Sequence, residues 1–150
     1  MKKYGKIILV LLIFTLTLSI CSCTVFRDIA RVPQFSQELM SISNISKPEE
    51  AIAKAEELLH PLSTLTKDVA LEKAKAQIEQ LGVDVESLNY TNYSIGNISD
   101  LELKFNDAAL GGNVYETKIA VTIDSFSFTV NITILSDEAD IGIYDFQISR

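Results

Sequence analysis

Hydrophobic positions change their period along this chain. An apolar run, Ile7 to Leu18, carries no charge and is broken only by Thr15 and Thr17. Residues 24–46 then scatter apolar side chains among Ser and Asn. Ile29, Val32, Phe35 and Leu39 keep a rough helical spacing across Pro33, as a short helix or a partly docked linker would. From Pro48 the spacing is helical: Ala51, Ile52, Ala55, Leu58, Leu59 and Leu62 fall on one stripe. Ser46 and Glu49 match a capping box, and Pro48 occupies the first turn, where its missing N–H costs little. His60-Pro61 ends or kinks this helix, because proline disfavours the α region in the residue before it. A second helix is expected over about 68–81. Thr66 suits its N-cap and Asp68 its positive N-terminus; Leu71, Ala74, Ile78 and Leu81 form the stripe, and Gly82 supplies a left-handed stop.

Past Gly82 the period falls to two. Val83 and Val85 alternate with Asp84 and Glu86, and Leu88 to Ile95 reads as an irregular strand. Leu101, Leu103 and Phe105 alternate with Glu102, Lys104 and Asn106. Asn106 to Asn113 reads as a turn in which Gly111-Gly112 allows positive φ. Tyr115 to Ile123 and Phe126 to Ile134 alternate cleanly around a tight Asp124-Ser125 turn, and Ser136 to Asp140 is an acidic turn before a last strand, Ile141 to Ile148. Strands joined by short turns pair antiparallel, and one apolar face of such a sheet must be covered. The expected fold class is therefore α+β: an N-terminal signal helix, two amphipathic helices, then a four- or five-stranded antiparallel meander packed on them.

Composition sharpens this picture. The 150 residues carry 13 basic and 20 acidic side chains, a net charge of −7, yet the mean hydropathy is +0.21. The length suits a single domain. An apolar content of 47% argues against general disorder, and the acidic balance against a nucleic-acid footprint. The apolar excess belongs largely to the first segment. Lys2, Lys3 and Lys6 form a positive n-region ahead of Ile7 to Leu18, which is short of the roughly 20 residues a membrane span needs. Ile20-Cys21-Ser22-Cys23 follows.

This segment resembles a bacterial lipoprotein signal. Ile20 takes the −3 position of the lipobox and Ser22 the small −1 position, and Cys21 at −2 stands where Ala or Ser is usual. The resemblance implies cleavage after residue 22 and lipidation of Cys23, with residues 23–46 a tether and residues 47–150 the domain. Without Lys2, Lys3 and Lys6, ten basic side chains face twenty acidic ones, a net charge of −10. Such a surface is repelled by anionic headgroups and would hang from its lipid, each buried CH₂ contributing about 0.8 kcal/mol. The partners implied are a membrane, on its extracytoplasmic face, and an envelope protein. The order helix, then paired strands 115–123 and 126–135, then Ile141 to Phe146, is similar to cystatin-like and NTF2-like folds, a likeness of fold that fixes no activity.

No residues declare a reaction. Both cysteines lie in the signal and its cleavage site, so there is no disulfide framework or thiolate nucleophile in the domain. His60 is the only histidine and is expected at a helix C-terminus, where a partly positive ring meets the dipole. Asp137, Glu138 and Asp140 form the densest acidic cluster, without the spacing of a calcium loop. Gly111-Gly112 lacks the Lys-Ser/Thr of a phosphate cradle. Tyr90, Tyr93 and Tyr115 are candidate binding aromatics or core-edge residues. Asn44, Asn89, Asn92, Asn97 and Asn131 sit in Asn-x-Ser/Thr triplets, which mark glycans only in a glycosylating host. The sequence thus leads to an expectation of a non-enzymatic, lipid-anchored binding module with no catalytic, cofactor or metal residues. An immunity or exclusion lipoprotein of a mobile element and an NTF2-like pocket for a small ligand are the alternatives.

Overall fold

A computed structural model describes residues 27–150. The signal segment and Cys23 lie outside the described residues. Three helices precede a five-stranded antiparallel sheet: α1 over residues 27–41, α2 Pro48–Glu57, α3 Lys67–Gln80, β1 Tyr93–Ile98, β2 Glu102–Asp107, β3 Gly112–Ile123, β4 Phe126–Ser136 and β5 Ile141–Ser149. The α+β class is therefore shown.

The stretch read as tether is helical from residue 27 and reaches the core. Asp28, Val32, Phe35, Leu39 and Ile42 recur at 4-3-4-3 spacing; of these, Phe35, Leu39 and Ile42 are buried apolar residues and Asp28 is a buried charge. Pro33 removes one helix hydrogen bond, and the packed face holds the helix across it. The core thus draws on residues ahead of position 47.

α2 starts without the expected capping box. Its N-cap is Lys47, which makes no side-chain cap bond, and Pro48 is the first helical residue. Helix geometry ends at Glu57 rather than at His60-Pro61. Leu58 turns the chain out of the helix at φ −93°, ψ 4°, and Leu59 then bridges to Ile143, because β5 offers this segment a better partner. Ile143 N–H donates to the Leu58 carbonyl at 2.7 Å, and His60 N–H donates to the Ile143 carbonyl at 2.8 Å. Gly142 lets this segment approach, since a Cβ there would stand 2.6 Å from the His60 nitrogen. Leu62, expected on the buried stripe, is exposed. α3 matches its sequence signals more closely. Val69 N–H donates to Thr66 Oγ1 at 3.3 Å, and Gly82 closes the helix at φ +80°.

In the sheet, β3 and β4 pair over their whole lengths and β5 pairs with β4. β1 and β2 lie end to end along the other edge of β3, β1 on 119–123 and β2 on 112–116. Ser99 staples the break between them: Ser99 N–H donates to the Lys118 carbonyl, and Lys118 N–H donates to Ser99 Oγ. Two expectations fail here. Val83 and Val85 are buried but lie outside the strands, Val85 within a 3-10 turn, Val85–Ser87. The apolar positions of β2 are not buried either; Leu103 and Phe105 are 55% and 54% exposed, because β2 is an edge strand beyond the reach of the helices and a register shift at Lys104 breaks its alternation. The Asp124-Ser125 turn forms without glycine. Asp124 adopts φ 53°, its carboxylate accepting the Asn89 backbone N–H and the Asn92 side-chain amide.

Two apolar cores share one face of the sheet. The larger joins α1 and α2 to Tyr115, Ile119, Ile132, Ile134 and Ile143; the smaller joins Ile78, Val83, Val85 and Leu88 to Phe128.

Candidate functional site

Between these two cores the helices and sheet do not meet. Ala51 and Ala55 of α2 and Ala70 and Ala74 of α3 line the space, where longer side chains would have filled part of it. The sheet forms the floor with Ile95, Val121, Val130, Ile132, Phe146 and Ile148. The result is a partly open cavity of about 350 Å³ with almost wholly apolar walls, inside the roughly 300–1,000 Å³ range of ligand pockets. Phe146 is its one aromatic residue. Glu56 and Lys67 also line it, but both are exposed residues that contribute carbon stems rather than charged ends to its surface. Leu71, the first residue of the expected α3 stripe, lines this space and is 38% exposed rather than buried. Ala74 was legible as a stripe position, but not as one wall of a cavity.

At the other end of the sheet, polar groups converge on Asp28. Asn113 Nδ2 and Tyr115 Oη donate to its Oδ2 at 2.7 and 2.8 Å; Ser136 Oγ donates to Oδ1 at 2.7 Å and Arg27 Nε at 3.3 Å. Burial pulls the Asp28 carboxyl upward, but the bonds from Asn113, Ser136, Tyr115 and Arg27 outweigh it and hold the pKa below the usual carboxylate value. Burial, with the Asp28 charge beside it, pushes the Tyr115 hydroxyl up to about 12. Arg31 extends the dock, donating to the carbonyls of Asp137 and Glu138. This cluster ties α1 to strands β3 and β4 and the turn after them. Every lone pair it uses is occupied by protein, so it is a structural dock.

The residues singled out in sequence are dispersed. His60 is not at an exposed helix end; it is 2% exposed, with Nδ1 accepting the Leu62 N–H at 3.1 Å. The other ring nitrogen, Nε2, has no hydrogen-bond partner and lies 3.4 Å from Asp137 Oδ1. Asp137 turns inward and accepts the Ala139 and Asp140 N–H groups. Burial raises its pKa, but those two bonds and His60 prevail and leave it lowered. Among the described residues no three His, Cys, Asp or Glu side chains gather as a metal site. Gly111 takes φ +71° in the hairpin turn, and Gly112 packs against the Ser136 carbonyl. Tyr90 and Tyr93 donate to the carbonyls of Val85 and Ile45, while Tyr115 is in the core, so the three share no surface. Asn44, Asn89, Asn92 and Asn97 are exposed and Asn131 is half-buried. Sequence reasoning missed Asp28, and although it kept a small-ligand pocket as an alternative it did not place this cavity between α2, α3 and the sheet. Among the described residues no helix is long and apolar enough to cross a membrane. No protein-family model, curated protein or solved structure matches this chain.

Proposed function

We propose that this protein is a non-enzymatic binding module held by a lipid on Cys23 at the extracytoplasmic face of a membrane, and that the space between α2, α3 and the sheet takes an apolar small molecule. The cavity of about 350 Å³ carries this reading. Its walls are almost wholly apolar, so they favour hydrocarbon over water. Binding of N-phenyl-1-naphthylamine, a dye that brightens in apolar sites, tests it. The wild-type chain brightens the dye, and Ala55→Trp or Ala74→Trp, which fill the space, abolishes the response while leaving the circular dichroism unchanged. An equal response from the filled and unfilled proteins sinks the proposal.

A further inference from the structure

The two edges of the sheet are finished differently. β5 is guarded along its length. Its Ile143 N–H and carbonyl bond the segment 58–60, Ser63 Oγ donates to the Tyr144 carbonyl, and Gln77 Oε1 accepts the Ile148 N–H. On the other edge, β1 packs against the 3-10 turn Ile42–Asn44, and Tyr93 Oη reaches the Ile45 carbonyl. β2 is bare. Glu102 to Asn106 are all exposed, and among the described residues the strand pairs only with β3. An edge of this kind offers a row of N–H and C=O groups to another strand.

The side chains of β2 say which strand. Lys104 Nζ stands 2.7 Å from Glu102 and 3.6 Å from Glu116, so these charges share one face of the sheet, while Leu103 is on the other, opposite Tyr115. The register shift leaves Lys104 with no residue opposite it in β3. A lysine and a bulge at an edge turn away an arbitrary strand. A copy of the same strand answers them. Laid antiparallel about an axis through Leu103, Glu102 of each chain stands opposite Lys104 of the other, and the two Leu103 side chains, each 55% exposed in the single chain, meet on the opposite face. We propose that β2 pairs with β2 of a second copy of this chain in that register. Each β2 then has β3 on one side and the copy on the other. With β5 guarded, the assembly closes as a two-fold dimer and does not extend into a fibre.

Charge both favours and opposes this partner. Two chains of net charge −7 repel each other, but salt screens that repulsion over about 8 Å at physiological ionic strength, and charges in contact across a strand pair are screened less. A basic peptide would suit the acidic chain as a whole, yet it would set a cation against Lys104. The paired stretch is short, so the affinity is modest. Phe105, 54% exposed next to Lys104, adds apolar area beside the axis.

Disulfide trapping in cells that express the full chain reads the register. Position 103 lies on the axis, so Leu103→Cys gives a covalent dimer under mild oxidant, above the level of the wild type, whose Cys21 and Cys23 set the blank. Phe105→Cys stays at the blank, because its two copies stand about 13 Å apart along the strands, beyond disulfide reach. Adding Glu102→Lys or Lys104→Glu to the Leu103→Cys chain sets like charges opposite each other at both crossings and slows trapping about tenfold. Coexpressing those two chains restores the rate, since each presents the charges the other lacks, and the recovery shows that both fold. Leu103→Cys that traps no faster than Phe105→Cys, reversals without effect, or coexpression without recovery overturns the proposal. So does a Leu103→Cys adduct with a different protein in place of the dimer.

Discussion

Asp28→Asn puts the docking of α1 to a quantitative test. The Asp28 carboxylate accepts four hydrogen bonds, two on each oxygen. Replacing one oxygen with NH₂ turns two of those acceptances into donor–donor contacts. Asn113 can turn its amide to present an oxygen, so about one charge-assisted bond and the charge itself are lost outright. Hydrogen bonds to charged groups contribute about 1.5–3 kcal/mol each, and the Tyr115 and Ser136 hydroxyls left facing the substituted side chain are buried. The expected loss is about 2–4 kcal/mol at pH 7, a fall in Tm on the order of 10 °C for a domain of this size. The pH dependence has a definite sign. The folded-state pKa of Asp28 is lowered, so its contribution is present above the unfolded carboxylate value near 4 and disappears as pH falls through the lower folded value. Thermal unfolding followed by circular dichroism from pH 7 to pH 2 therefore shows wild type and variant well separated at neutral pH and converging in acid. Melting curves within about 1 °C of each other at pH 7 would refute the dock, as would a gap that persists unchanged at the acid end.

The remaining expectations are sharper for being local. Gly142→Ala places a Cβ against the backbone of Leu58 and His60; it breaks the two bonds of that clamp and costs about 3 kcal/mol in urea unfolding. Ala55→Leu fills part of the cavity, raises stability by about 1 kcal/mol and lowers dye affinity, so the two readouts move in opposite directions. Thr66→Ala removes the cap on Val69 N–H and costs about 1 kcal/mol by the same unfolding assay. Cys23→Ala, examined by fractionation of cells and detergent phase partitioning, removes acylation and leaves the signal uncut at the lipobox.

Period-two and period-3.6 patterns predicted the α+β class because they report which face of an element is buried. They predicted β3, β4, β5 and α3 within a few residues, and both halves of the α3 grammar, Thr66 and Gly82, act as expected. The misses share a physical cause: each depends on a distant partner. α1 carries Asp28 at a core position of its stripe, so the pattern is interrupted by a charge three of whose four donors lie more than eighty residues away. The segment 58–60 leaves the helix for a bridge to Ile143, a choice local propensity cannot contain. β2 alternates as a buried strand does, yet nothing in its own residues says that the helices stop short of it. The cavity was illegible for the same reason. Alanine on a helix stripe reads as core in either case, and only the spacing between two helices decides whether its small volume is filled by a neighbour.

That spacing bears on stability as well as binding. A sealed apolar void of about 350 Å³ would cost roughly 8 kcal/mol at about 24 cal/mol per Å³, comparable to the whole stability of a typical domain. The opening to solvent reduces that figure, but water gains little from walls that offer it almost no partners. The two flanking cores must hold the space open: Leu39 and Ile134 are fully buried on one side, and Phe128 packs with Val83 and Val85 on the other. A ligand at a hundred times its Kd would return about 2.7 kcal/mol by mass action. The melting temperature should therefore rise with N-phenyl-1-naphthylamine in wild type and stay flat in Ala74→Trp, whose side chain already occupies the space. Equal shifts in the two proteins would locate the dye elsewhere and remove the thermodynamic case for an apolar ligand in this cavity.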